Sequence, residues 1–300
     1  MTDAASLPAV TSRPRAFLRL VTIEHSLFAL PFAYVAALAA GFRVSRSVHW
    51  VALLLVTVAM VAARTFAMAA NRIVDREIDA RNPRTAHREL VTGAVAVRTA
   101  VVGAGVALVV FLGAAAALGW LCLALAPVAV VPLVVYPYAK RFTDFPQAIL
   151  GIAQAVAPIG AWIAVTGHWS WSAVVLGLAV GSWIGGFDLI YACQDVDVDR
   201  RIGVRSVPAR FGVRAALIAS AVTHAVTFGL FVLFGLAENF GAFWWVGVGL
   251  TAVAFGYEHA IVTPGDLSKV NRAFFTANGF VGIALFGFAL VDLIARGLAA

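Results

Sequence analysis

The chain has 300 residues, 62% of them hydrophobic and only 12% charged, with a formal net charge of +7 and a mean hydropathy of +0.93. A soluble domain averages about 45–50% apolar and about 25% charged residues, so this composition excludes one soluble core and makes lipid the expected solvent. Cys122 and Cys193 lack metal-ligand spacing and fall in or beside apolar segments, which argues against a structural disulfide.

The chain opens with MTDAASLPAVTSRPRAFLRL, which has no uninterrupted apolar run and no clear cleavage site. Residues 1–21 read as a cytoplasmic tail, not a signal peptide. A spanning helix needs roughly 20 mainly apolar residues. Such runs follow at 22–41, 49–71, 96–118, 120–138, 148–167, 171–192, 214–236, 240–260 and 273–294, the third and fourth divided at Gly119. The expected fold is all-α: a polytopic membrane protein of nine transmembrane helices, with residues 22–300 forming a single transmembrane domain.

Positive charge orients these spans. Arg13, Arg15, Arg19, Arg72, Arg76, Arg81, Arg84, Arg88, Arg98, Lys140, Arg141, Arg200, Arg201, Arg205, Arg210, Arg214, Lys269 and Arg272 occupy one set of connections, 18 of the 22 Lys and Arg. The opposite set holds Arg43, Arg46 and Arg296, while Arg64 lies inside a span. The split places the N-terminus and the even-numbered loops in the cytoplasm of a cell-membrane protein. The pI near 10.1 follows from topogenic arginine beside anionic lipid, and no nucleic-acid partner is expected.

Acidic residues follow a different pattern. Asp75, Glu77, Asp79 and Glu89 follow the second span, and Asp188, Asp195, Asp197 and Asp199 end the sixth; these are eight of the 15 carboxylates. Asp75 and Asp79 recur as Asp195 and Asp199 after 120 residues, each pair followed by an arginine-rich loop with Gly93 or Gly203. The reading is two four-helix pseudo-repeats, about 22–138 and 148–260, plus a ninth helix at 273–294, with a site between the halves.

On a continuous helix, positions four and seven apart share a face. Arg64, Asn71, Asp75 and Asp79 then form one stripe, and Asp188, Tyr191, Asp195 and Asp199 a second. Two carboxylates about 6 Å apart repel by roughly 3 kcal/mol at an effective dielectric near 20, so converging pairs call for cations. An oxygen-only donor set of Asn71, Asp75, Asp79, Asp195 and Asp199 suits Mg²⁺, which commonly bridges a few carboxylates to substrate phosphates. Arg72, Arg76, Arg84, Arg88, Arg200 and Arg201 are candidates for further phosphate oxygens. The competing reading is a pair of solvated helix ends laced with Asp–Arg pairs. Zinc hydrolysis and a Walker-type loop lack the residues they need.

A charge in mid-span, as at Arg64, costs about 2.5–3.5 kcal/mol or more. It is a candidate to grip a substrate carboxylate, or else to pair with Glu24 or Glu258. Tyr136 and Lys140 share a face at the end of the fourth span, with Arg141 beside them. The lysine suits diphosphate and the tyrosine ring suits a developing cation. Glu24–His25 and Glu258–His259 read either as buried polar pairs that hold helices in register or as acceptor contacts. Trp244 and Trp245 read as an interfacial belt.

The combination N71-x-x-x-D75-x-x-x-D79, Y136-x-x-x-K140 and D195-x-x-x-D199, with "YPYAKRFTDFPQ" and "DLIYACQDVDVDRRIGVRSVPARFG", resembles the UbiA superfamily of intramembrane aromatic prenyltransferases over nearly the whole chain. The resemblance implies that the two Asp motifs bind Mg²⁺ and an isoprenyl diphosphate, that Lys140 contacts diphosphate and that Arg64 meets the acceptor. It further implies departure of diphosphate, an allylic cation, attack by the acceptor ring and proton removal by a carboxylate such as Asp195. The expected partners are a polyprenyl diphosphate, an aromatic hydroxy acid and the bilayer. The loops look like those of 4-hydroxybenzoate polyprenyltransferases. The opening "IEHSLFALPFAY" replaces a "DKPIG"-like stretch, and with "YEHAIVTPGDLSKVNRAFFTAN" it looks more like the MqnP-type branch, linked to prenylation of 1,4-dihydroxy-6-naphthoate in menaquinone synthesis. Two other classes stay open. A secondary transporter predicts charge deep in several spans, whereas here it crowds one mouth. A CDP-alcohol phosphotransferase predicts its aspartates in one stretch, whereas here 120 residues separate them.

Overall fold

The computed structural model describes Leu20 and residues 29–300, and these residues form helices, turns and isolated bridges without a strand. The tail, Glu24, His25 and the beginning of the first expected span lie outside the described residues. The helices are α1 (Leu30–Ser45), α2 (Trp50–Val74), α3 (Arg76–Arg81), α4 (Glu89–Thr92), α5 (Val97–Leu118), α6 (Trp120–Phe142) and α7 (Pro146–Thr166). There follow α8 (Trp171–Ala192), α9 (Val196–Ile202), α10 (Val207–Phe211), α11 (Val213–Ala237), α12 (Ala242–Ile261), α13 (Val270–Arg272) and α14 (Asn278–Ala295). Among the described residues, seven helical segments are long and apolar enough to cross a membrane.

Their exteriors need lipid. Val51 is 72% exposed, Val109 69% and Trp120 79%, a density of bare apolar side chains that water would not tolerate. Helices satisfy their own backbone in that solvent, so α6 can carry Pro127, Pro132 and Pro137 and still continue to Phe142. Gly119, with φ +128°, separates α5 from α6; this is a backbone conformation that suits glycine.

At the centre runs α8, buried along most of its length and flanked by α7 and α11. Hydrophobic exclusion cannot hold helices together in lipid, so close packing and buried polar bonds must do it. Small residues make the first possible: a Cβ on Gly181 would stand 2.5 Å from the Gly151 carbonyl oxygen, and one on Gly177 2.5 Å from that of Ala155. The α7 and α8 backbones therefore touch along an i,i+4 seam on each helix. Polar bonds add to it. Ser220 Oγ donates to the Gly186 carbonyl at 2.7 Å, and the Ser182 and Thr227 hydroxyls meet at 2.8 Å. From α14, Asp292 accepts the Gly241 and Phe243 backbone N–H groups at 2.8 and 3.2 Å and so caps the start of α12.

Trp244 departs from the interfacial-belt reading. It is fully buried and packs its ring on Phe234 and Phe240 at 5.6 and 4.7 Å. Its neighbour in the same core is Gly235, whose missing side chain makes room for the indole. The strongly exposed tryptophans are instead Trp50, Trp120, Trp169 and Trp171, in or beside helix starts.

The seam carries a direct expectation. Gly181→Leu should lower the thermal unfolding midpoint in detergent by an amount equivalent to about 3 kcal/mol or more, through overpacking. Gly105→Ala on α5, where a Cβ meets nothing within 4 Å, should leave the midpoint nearly unchanged.

Candidate active site

Two helix breaks at one end of the bundle build the site. The continuous helix expected from Arg64 to Asp79 is interrupted: α2 ends at Val74, Asp75 takes φ −91° and ψ 2°, and α3 begins at Arg76. The Asp75 N–H still donates to the Asn71 carbonyl at 2.9 Å, and the Asp79 N–H to that of Asp75 at 2.8 Å. The chain thus bends at Asp75 without losing the hydrogen bonds on either side. The same break recurs after α8, where a 3₁₀ turn, Cys193–Asp195, leads into α9 and Asp195 takes φ −100° and ψ 2°. The two short helices that follow carry Asp79 and Asp199.

Asp75 and Asp79 are buried and Asp195 and Asp199 partly so, and each is held by a partner from another segment. Asp75, 1% exposed, lies 2.5 Å from Lys140 Nζ and 3.2 Å from Arg141 on α6, and accepts from Asn71 Nδ2 at 3.3 Å. Asp79 pairs with Arg88 at 2.6 Å. Asp195 is gripped by both Nε and NH2 of Arg84, at 2.9 and 2.5 Å, and by Asn82 Nδ2 at 2.9 Å. Asp199 accepts from Ser206 Oγ at 2.9 Å. Arg84 also donates to the Tyr191 hydroxyl at 3.0 Å and lies 5.2 Å over its ring. Burial raises the Asp75 pKa above its ordinary 3.8, and Lys140 and Arg141 oppose that rise. Burial likewise works against the charge on Arg84, but its bonds to Asp195 keep it more firmly protonated than usual.

Behind the carboxylates a cavity of about 430 Å³ runs between α2, α5, α6, α7 and α8. Its polar end is lined by Arg64, Asn71, Arg72, Arg88, Tyr136, Asp188 and Tyr191. The remainder is chiefly apolar, with Met60, Phe111, Leu118, Leu125 and Leu133 among its walls. One end suits a multiply charged anion, and the rest suits a long hydrocarbon.

The comparisons with known proteins agree with this shape. The UbiA prenyltransferase family model matches residues 29–280. The chain belongs to the UbiA prenyltransferase family. It is accordingly an enzyme of the prenyl-transferring class. It is 34% identical over 223 residues to 4-hydroxybenzoate octaprenyltransferase of Alkalilimnicola ehrlichii, covering 74% of this chain and 75% of that one. Among solved structures it resembles a UbiA homologue from Aeropyrum pernix, with a TM-score of 0.81, 34% identity, and 90% and 98% of the two chains covered. A UbiA homologue from Archaeoglobus fulgidus bound to GPP and Mg²⁺ shares the fold at a TM-score of 0.72 and 19% identity, over 93% and 99% of the chains.

In this UbiA-family chain most of the sequence-derived residues fall into two connected groups, while Asp199 bonds Ser206, Arg76 the Leu90 carbonyl and Arg200 the Ala209 carbonyl, outside both. Arg64, Asn71, Arg72, Arg88, Tyr136, Asp188 and Tyr191 line the cavity. Asp75, Asp79, Asp195, Lys140, Arg141 and Arg84 form the ion pairs at its mouth, joined to the first group through Asn71, Arg88 and Tyr191. The carboxylates do not converge on one point: among the described residues no three His, Cys, Asp or Glu side chains gather as a metal cage would require. Each is turned instead onto a basic or hydroxyl partner, which offsets part of the mutual repulsion. Glu258, one alternative partner for Arg64, accepts from Asn278 at 2.9 Å. Three contacts escaped the sequence reading. Asn82 sits in an Asn-Pro-Arg turn whose composition hints at a fixed loop, Ser206 carries no spacing signal, and Phe274 is one aromatic in an apolar run.

Replacing Lys140 with Met should destabilise the protein by about 2 kcal/mol at neutral pH, somewhat under the ~3–5 kcal/mol of a fully buried pair because Arg141 remains. A carboxylate whose folded pKa is raised loses stability as pH climbs from its unfolded value toward its folded one. The Lys140→Met penalty should therefore be smallest near pH 4 and grow above it, which unfolding midpoints measured from pH 4 to 8 will show.

Proposed function

We propose that this enzyme transfers a polyprenyl group from an isoprenyl diphosphate to a ring carbon of an aromatic hydroxy acid, with Mg²⁺, in respiratory quinone biosynthesis. The observation that carries the reading is the junction of two carboxylate-bearing helix breaks, with their arginines and lysine, and a long apolar cavity. In this reading nine spans form two four-helix repeats and a ninth helix. The N-terminus and the carboxylate end face the cytoplasm, as the arginine distribution favours.

The donors fit Mg²⁺: they are oxygens alone, and Mg²⁺ is usually held by one or two carboxylates plus substrate phosphates, not by an all-protein cage. One or two carboxylates of the set Asp75, Asp79, Asp195 and Asp199, with Asn71 beside the first pair, would hold each ion. When bound, the ion neutralises charge on the departing diphosphate. Lys140, Arg72, Arg84, Arg88 and Arg141 supply the remaining positive charge to the phosphate oxygens, exchanging carboxylate partners for phosphate ones. The bond between the allylic carbon and the diphosphate oxygen breaks with its electron pair going to diphosphate. The acceptor ring then forms a bond to that carbon and releases a proton. In this reading Arg64 binds the acceptor carboxylate, and Tyr136 and Tyr191 flank the reacting groups; all three line the cavity. Asp195 already receives three hydrogen bonds from Arg84 and Asn82, so we place the ring proton on a carboxylate oxygen of Asp188, which lines the cavity. The apolar walls keep water from the cation and house the tail.

Two acceptors have specific support. The 34%-identical relative named for 4-hydroxybenzoate favours that acid, and the stretches 23–34 and 257–278 favour 1,4-dihydroxy-6-naphthoate and a menaquinone role. Membranes containing the protein, given Mg²⁺ and a polyprenyl diphosphate, should prenylate one of the two. EDTA should abolish the product, and Asp75→Ala should reduce the rate by about 10² or more, as expected for loss of a transition-state electrostatic partner. Transfer that survives both treatments would refute the carboxylate cradle. Arg64→Leu should raise KM for the acceptor about tenfold or more while leaving that for the diphosphate nearly unchanged.

A further inference from the structure

Where the last long segment begins, the chain is not α-helical. Residues Ala273–Ala277 form a π-turn between α13 and α14, a widened turn that accommodates an extra residue and recurs at functional sites. Phe274 projects from it into the cavity wall, beside Asp188 and Tyr191. Its ring lies 4.4 Å from that of Tyr191 and packs edge-on to Phe187 at 5.0 Å. Tyr191 in turn receives the Arg84 hydrogen bond, and Arg84 holds Asp195. Phe274 is therefore two side chains away from the second carboxylate pair, at the polar end of the cavity.

The residue that follows the π-turn is fully buried and polar. Asn278 accepts from Trp183 Nε1 at 2.7 Å and donates Nδ2 to Glu258 Oε1 at 2.9 Å and to the Ala273 carbonyl at 3.2 Å. Both amide hydrogens are used, and the second returns to the first residue of the π-turn itself. A buried amide satisfied from α8, α12 and its own turn can hold only one arrangement cheaply. Trp183 closes the circuit, since its ring meets Phe187 edge-on at 5.3 Å and Phe187 meets Phe274. The turn that presents Phe274 is thus pinned on its backbone side by Asn278 and on its ring side by Phe187.

We infer that Phe274 is a substrate-contacting wall whose aromatic face stabilises the allylic cation, and that Asn278 is the positioning residue that aims it. The inference rests on the prenyl-transfer reading above. When the carbon–oxygen bond breaks, positive charge spreads over the allylic carbons, and an aromatic face at that end of the cavity attracts it. The interaction exists only once charge develops, so it acts on turnover and not on ground-state binding.

The test compares kcat and KM for wild type, Asp75→Ala, Phe274→Leu, Phe274→Tyr, Asn278→Ala and the Phe274→Leu/Asn278→Ala pair, with thermal unfolding followed in parallel. Phe274→Leu, which keeps bulk and loses the ring, should lower kcat about tenfold with both KM values nearly constant. Phe274→Tyr should retain most of kcat. Asn278→Ala should lose kcat by a similar factor, and the double variant should fall no further than the weaker single one. Should Asn278→Ala fail to fold, Asn278→Leu, which keeps the side-chain volume and removes the amide's hydrogen bonds, takes its place under the same expectations. A fully active Phe274→Leu, a loss confined to KM, or losses that multiply in the double variant would overturn the inference while leaving the proposed function intact. A wild type that transfers nothing, or an unimpaired Asp75→Ala, would remove the proposed function and this inference with it.

Discussion

A buried carboxylate at the end of a membrane helix has to be neutralised by charge from somewhere else in the chain. Asp75 takes that charge from Lys140 and Arg141 on α6, and the partly buried Asp195 takes it from Arg84, in the loop after the first break. Each motif is thus completed by a segment remote in sequence. The loops at this end also meet directly: the Arg205 N–H donates to the Lys140 carbonyl at 2.9 Å, and its guanidinium grips Asp144 at 2.9 and 3.1 Å. Breaking the Asp75 or Asp195 pairs leaves a charge in a medium that penalises it, so they act as cross-links between distant segments, whereas the Arg205–Asp144 pair is exposed to solvent.

The breaks matter as much as the charges. A continuous helix would carry Asp79 and Asp199 straight along the axis of their spans. The breaks at Asp75 and Asp195 have nearly identical backbone angles, and the short helices beyond them carry Asp79 and Asp199, which bond Arg88 and Ser206. Where the ion pairs close the polar end, the interior behind them stays open and apolar. Its walls come from helices held apart on that side and pressed together elsewhere. The glycine seam between α7 and α8 is the pressed side, and it leaves α8 rigid enough to carry Asp188, Tyr191 and Asp195 on a fixed scaffold.

A second polar network lies deeper, around Asn278, Glu258 and Trp183, with His224 joined to His259 at 3.0 Å. The Glu258–His259 dipeptide read from sequence either as a pair holding helices in register or as an acceptor contact. In the structure both members reach His224 on α11, the histidine at 3.0 Å and the glutamate at 3.7 Å, and the glutamate also reaches Asn278 on α14. These contacts tie α12 to its neighbours, as bonds between helices in lipid must.

Much of this was legible in the residues alone, because lipid imposes one-dimensional rules. Spans appear as apolar runs, and most of those runs match helices to within a few residues. The paired Asp motifs, Lys140 and Arg64 stand out because charge in such a chain is rare and costly. Local patterns could not reveal which cation meets which carboxylate, since Lys140 and Asp75 are 65 positions apart and only packing brings them to 2.5 Å. Nor could they show the bends at Asp75 and Asp195, the burial of Trp244 against Gly235, or the π-turn that sets Phe274 in the cavity. Those features depend on what each segment meets across the bundle. The sequence by itself determined the solvent, the spans and the chemistry available at one mouth; the tertiary structure alone decided the pairing of charges and the shape of the chamber, because both arise from contacts between distant helices.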